Sequence, residues 1–275
     1  MKRMLVTVAL AFVTLPSSAA LQYDFIQKNT TDDSIRPVTD VTGRATIDGA
    51  RSRVDYLGGN TYPAGTYVVS TDGARRLFFV DPEKKSYTEF NTTGIGTALA
   101  TNNLKIENFT SNVETYPDRP RIAGVETSHH RITMQYDLTL TVQSISLKQH
   151  VKTEIEKWTS NQFTEVDMAF FSEPLLTGNP ALDKLIDTEM AKATGFPLRQ
   201  IVTVRTTYDV PVKTKINTPN TRTMTRETLI TAIGQANVQP AMFVVPAAFR
   251  RADQPKIPDT DMKVLTFEAP ATGSK

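Results

Sequence analysis

Three histidines, His129, His130 and His150, are the side chains of this sequence best suited to metal binding or proton transfer, and their spacing works against both. His129 and His130 are adjacent at the start of a strand-like stretch. Successive side chains of a strand point to opposite faces, so this pair cannot hold one ion together. His150 is placed to face one of them across a predicted hairpin, but a transition-metal site needs three or four well-placed ligands. The acidic pairs Asp32-Asp33 and Asp259/Asp261 fall in predicted loops, where solvated charge is the ordinary reading. The chain has no cysteine, which removes disulfides, thiolate metal sites and cysteine nucleophiles. It also lacks a Gly-rich phosphate loop, a nucleophile elbow and a His-Glu-x-x-His segment. Arg75-Arg76 and Arg250-Arg251 are too isolated to form a nucleic-acid surface. Trp158 has no aromatic neighbours in sequence and reads as core rather than as a stacking platform. The expectation is a protein that is not an enzyme, with no catalytic residues, no metal and no cofactor.

The elements that carry these residues are strands. From 131 to 144, Ile132, Met134, Tyr136, Leu138, Leu140 and Val142 share one face, while Arg131, Thr133, Gln135, Asp137, Thr139 and Thr141 share the other. Such period-two alternation marks a half-buried strand. Beyond it the apolar phase moves to odd numbers, through Ile145, Leu147, Val151 and Ile155. A slip of one residue inverts the faces, so a bulge or tight turn is expected between 143 and 146. The result is a long antiparallel pair with one apolar and one polar face. Before it, strands at 45–48 and 51–56 flank Asp48-Gly49, a strong hairpin dipeptide. Further pairs flank Thr71-Asp72-Gly73 and the Asp81–Lys85 turn, where Pro82 presets the backbone angle. Three hairpins in succession make a meander. Residues 92–104 are expected to form a short helix. Residues 179–194 are the clearest helix, with Asn179 as cap, Pro180 in the first turn and Gly195 as the stop. Strands at 201–210 and 224–233 follow, separated by the loop 211–222.

The amino terminus reads as an export address. Lys2 and Arg3 precede an apolar run at 4–13, and Ser17, Ser18, Ala19 and Ala20 supply small residues for a cut after Ala20. That is the tripartite pattern of a cleaved secretory signal. The apolar run is far shorter than the roughly 20 residues that span a bilayer. No second segment is apolar enough to cross a membrane, so no transmembrane segment is expected in the mature chain, and the expected address is periplasmic or secreted. The sequence has 31 Lys+Arg and 29 Asp+Glu, and removing Lys2 and Arg3 leaves 29 of each. This balance gives no reason to expect nucleic acid or an anionic surface as partner. The expected organisation is a signal at 1–20, one domain at 21–251, and a loose tail at 252–275 containing Pro255, Pro258 and Pro270.

Five segments in order resemble a family of exported bacterial proteins of undefined function: LFFVDPEKKSYTEF (77–90), IAGVETSHHR (122–131), EKWT (156–159), GFPLR (195–199) and MFVVPAAF (242–249). That family is similar in fold to the LolA/LolB lipoprotein carriers. The likeness spans about residues 40–250 of this sequence and departs from the family where Ala248-Phe249 replaces a Pro-Ala-Gly-Tyr ending. The resemblance implies a mostly β (α+β) fold, a curved antiparallel half-barrel sheet whose apolar face is covered by a few helices and holds acyl chains. The expected lining is Met134, Tyr136, Leu138 and Leu140, with Ile145 and Leu147 beside them and 92–104 as a lid. The function expected is that of a carrier or binding protein for a lipid or lipoprotein acyl chain, without catalysis. The alternative is a structural or adaptor envelope protein with a filled core and an envelope protein as partner.

Overall fold

Alternation decides the architecture: among the described residues, strands with one apolar face line up edge to edge into a sheet of twelve strands. The computed structural model describes residues 20–32, 38–73, 75–91, 104–142, 145–163, 180–209 and 220–252. The predicted signal up to residue 19, the predicted lid at 92–103 and the tail from 253 lie outside the described residues. The strands are β1 (Ala20–Thr31), β2 (Thr39–Asp48), β3 (Arg51–Gly59), β4 (Tyr67–Ser70), β5 (Arg76–Asp81), β6 (Ser86–Asn91) and β7 (Leu104–Tyr116). They continue with β8 (Arg121–Ile122), β9 (Val125–Glu126), β10 (Ser128–Val142), β11 (Ile145–Ser160), β12 (Phe196–Asp209), β13 (Thr221–Ala236) and β14 (Arg250–Arg251).

The order across the sheet is β14-β6-β5-β4-β3-β2-β1-β13-β12-β11-β10-β7, with β8 and β9 forming a separate hairpin. All pairs are antiparallel except β14 with β6. The chain therefore starts in the middle, runs to one edge, crosses to the other, and returns strand by strand to β1. Residues 92–103 join strands ten places apart. Bulges between Asp24 and Phe25, Thr42 and Gly43, Gln135 and Asp137, and Trp158 and Thr159 add local twist. The predicted mostly β fold, a curved and open antiparallel sheet with few helices, is what the structure shows.

The three predicted hairpins are present. Asp48 pairs with Arg51, leaving Gly49 and Ala50 as the turn. At the third turn the Asp81 carboxylate accepts the Lys84 backbone N–H at 3.0 Å. The phase slip near residue 144 is a tight hairpin: Val142 pairs with Ile145, so the two intervening residues invert the numbering of the apolar face without breaking it. The predicted helix at 179–194 is shorter. Helix α1 spans Pro180–Met190, and beyond it Lys192 and Ala193 donate to Glu189 and Met190, three residues back. Such tightened bonds end a helix.

Apolar side chains fill the concave face in two neighbouring clusters. One joins Leu21, Tyr23, Phe25, Ala45, Val54 and Val68 to Leu198 and Ile230, under Ile122 and Val125 of the β8–β9 hairpin and Phe163. The other joins Ile132, Met134, Tyr136, Val151, Ile155 and Val202 to Leu182 and Ile186 of α1. The convex face carries ion pairs across strands, among them Arg44–Asp24 at 2.6 Å and Arg131–Glu156 at 3.1 Å. At its β4–β6 end that face is instead covered by the carboxy-terminal segment, through Val245 and Phe249.

Candidate functional site

The concave face of β10–β12 is where the sequence places its lining residues. Ile132, Met134 and Tyr136 stand on alternate positions of β10 and are 0%, 0% and 7% exposed. Leu138 is half-buried at the edge of the same cluster. Gln135, between them, is exposed, as alternation requires. Leu140 pairs with Leu147, and Val142 with Ile145, so the backbone puts the rest of the predicted lining on the continuation of this hairpin. The side chains of Leu140, Ile145 and Leu147 lie outside the described residues. The Tyr136 hydroxyl bonds Thr153, and burial raises its pKa.

Among the described residues, helix α1 covers this half of the sheet. Leu182 and Ile186, four residues apart and so on one helical face, are 0% and 2% exposed, whereas Leu185 on the other side is exposed. The contact is thus a single stripe. Over the neighbouring half, the covering pieces are the β8–β9 hairpin and a turn at Asn161–Phe163.

The three histidines fall into three separate surroundings. His130 faces inward, opposite Lys157, and its Nδ1 lies 3.0 Å from Thr115 Oγ1. Burial, and then the Lys157 charge, lower its pKa. His129 faces the convex side, stacked on Trp158 with ring centroids 4.4 Å apart. Trp158 is buried as expected, but within a stack, because Arg199 covers its other neighbourhood at 4.8 Å. His150 faces neither of the other two. Its partner in register is Asp137, and Asp209 lies 3.2 Å from Nε2. The Asp137 hydrogen bond raises its pKa, and the carboxylate charges of Asp137 and Asp209 add to this.

The arrangement predicts two titrations that depart from the ordinary imidazole value of about 6.5 in opposite directions. By NMR, His150 is expected to titrate above it and His130 below it. The folded state favours protonated His150, so that contribution to stability is complete below the unfolded pKa and is lost as pH rises through the folded one. Asp137→Asn should return His150 toward its ordinary value and leave His130 in place. Two unshifted histidines would contradict the geometry.

Sequence reasoning missed Lys157, although the signal was available. Residues 151, 153, 155 and 157 share the inward phase of β11, and a lysine there is out of place on an apolar face. Lys157 is 7% exposed and donates to the Ala193 carbonyl at 3.0 Å.

No helix among the described residues is long and apolar enough to cross a membrane. No protein-family model and no curated protein matches the chain. Among solved structures, the chain is similar to an uncharacterized conserved protein from Thermus thermophilus, at 10% identity and a TM-score of 0.36, covering 86% of this chain and 90% of that one. It is also similar to a LolA superfamily protein from Nitrosomonas europaea, at 8% identity and a TM-score of 0.31, covering 84% and 91%. At these values neither likeness assigns this chain a ligand or a partner.

Proposed function

We propose that this protein is exported and that its concave face binds an apolar chain, a lipid or the acyl chain of a lipoprotein, without transforming it. One observation carries the reading. The apolar sheet face, two neighbouring clusters that together reach from β10 through β1 to β4, is covered among the described residues by short separate pieces. A helix attached by one stripe of side chains opens at lower cost than a packed layer, and segments with few buried contacts open most readily. Displacing α1 uncovers Ile132, Met134, Ile155 and Val202 together, which is the apolar surface a long chain needs.

The test is native mass spectrometry of protein purified from an envelope fraction, followed by lipid extraction. A co-purifying lipid near one per protein is expected, with binding of a fluorescent fatty acid after delipidation. The same sample should begin near Leu21; a retained Met1 contradicts export. A ligand-free protein that takes up no fatty acid favours the second reading, an envelope adaptor acting through its surface. That reading draws on a specific observation: Ile132, Met134, Ile155 and Leu182 are all 0% exposed, so side chains alone can fill this half of the face.

A further inference from the structure

The concave face of β10–β12 is apolar along most of its length and then changes at one rung. Ile132 pairs with Ile155, and Ile155 with Val202. One rung on, His130 pairs with Lys157, and Lys157 with Gln200. Two of the three members of this polar rung are buried, Lys157 at 7% and His130 at 9% exposed, while Gln200 is half-buried. An ammonium carries three N–H donors. Among the described residues the Lys157 ammonium meets one acceptor, the Ala193 carbonyl, and no carboxylate. The acids of its own strand, Glu154 and Glu156, lie on the other phase and pair with Lys152 and Arg131. Of the three acids on the covering helix, Asp187 is exposed, Asp183 lies toward Tyr136, and the buried Glu189 is taken by Lys192 at 2.6 Å. A buried ammonium without a counter-charge is among the costliest arrangements a protein interior holds. Burial lowers the Lys157 pKa accordingly.

We propose that the Lys157–His130 rung is the recognition end of the concave face and holds the carboxylate headgroup of a long-chain amphiphile. The chain lies along Ile155 and Val151 of β11 and Ile132 and Met134 of β10. This rests on the reading that the face takes an apolar chain, and it names which end of the ligand goes where. From Lys157 to Val151 the strand offers roughly 20 Å of face. The one acceptor Lys157 now uses belongs to the turn that follows α1. When α1 moves off the sheet that carbonyl leaves with it, and a carboxylate replaces it with a stronger, charge-assisted bond. The Ala193 carbonyl is therefore the placeholder of the empty state, and headgroup binding and cover release are one event.

Three probes with the same twelve-carbon chain test this by calorimetry on the full mature protein: laurate, 1-dodecanol and dodecylamine. Laurate is expected to bind at least tenfold more tightly than dodecanol, and dodecylamine most weakly. Lys157→Met should erase the advantage of laurate and leave dodecanol within about twofold. That variant is expected to stay folded, since exchanging a buried unpaired charge for an apolar side chain is commonly neutral or stabilising; a thermal melt verifies it. The wild-type series stands on its own should the variant fail to fold. Equal binding of laurate and dodecanol, or a laurate preference that survives in a folded Lys157→Met protein, overturns the headgroup site while leaving the apolar face intact. Binding of none of the three overturns both readings together.

Discussion

Met134→Asp is expected to destabilise the protein by about 4 kcal/mol or more, whereas Gln135→Asp, one residue further, should cost less than about 0.5 kcal/mol. Met134 is 0% exposed, between Thr153 on β11 and Ser111 on β7, and under the apolar stripe of α1. The side chains that pack around it in that cluster are apolar. The new side chain would be buried charged and unpaired, or protonated at a cost in free energy. Gln135 points the other way, is exposed, and stands opposite Lys152, which a carboxylate suits. Leu138→Asp is expected to fall between the two, because Leu138 is only half-buried. Urea denaturation of the three variants measures the order. Equal losses at positions 134 and 135 would mean that β10 is buried on both faces.

That strand is legible in the sequence because its alternation is strict and its partners are close along the chain. The inward phase of β10 and β11 can be read residue by residue, and the inversion at residue 144 points to the tight hairpin. The strand β7 is not legible, for a physical reason. The half-buried positions it packs against the cluster, Ile106, Phe109 and Val113, are three and four residues apart, and Asn108 sits at φ 56 within it. The register shifts opposite it, between Gln135 and Asp137. A bulge converts period two into a spacing that resembles a helix. The strand β1 escapes differently. It begins at Ala20, where the predicted signal ends, and of its two partners β2 follows it in the chain while β13 comes from residues some two hundred positions away. Its alternation of Leu21, Tyr23 and Phe25 is short, and Gln27 to Thr31 carry no apolar residue. A strand with so little alternation shows weakly in sequence even though one of its partners is local.

The buried polar rung is visible in the sequence only when phase is weighed above residue type. By type alone, His130 is a surface histidine and Lys157 an ordinary strand lysine, yet both occupy the inward phases of β10 and β11. Phase is the better guide. A charged residue on the apolar phase of a strand is either misassigned or held for a purpose, since isolated buried charge is not retained for stability. Met134, Tyr136 and this rung share one face, so one pair of strands positions both the apolar and the polar half of the proposed site.

Gly59→Ala is expected to cost about 3 kcal/mol or more, a larger effect than alanine normally has outside a core. Gly59 closes β3 with φ +109, a conformation that a side chain strains. Strain of that kind accounts for about 1–3 kcal/mol. The remainder comes from the space a methyl would need. Its Cβ would collide with the Asp40 carbonyl oxygen and stand 2.9 Å from the Val41 Cα. Backbone cannot retreat there, because the Asp40 carbonyl accepts the Asn60 and Thr61 N–H groups at 3.1 and 3.3 Å and the Thr61 hydroxyl at 2.9 Å. The Asn60 side chain adds a bond from Asp40 N–H at 2.8 Å and another to the Val38 carbonyl at 2.9 Å. Gly124 supplies the control: its φ is +79, yet nothing lies within 4 Å of the added Cβ. Gly124→Ala should therefore show the conformational cost alone, about 1–2 kcal/mol. Thermal unfolding of the two variants separates strain from collision. A Gly59→Ala protein no less stable than Gly124→Ala would mean that the β2–β3 end yields, and that the Asp40–Asn60 clamp does not hold the meander in register.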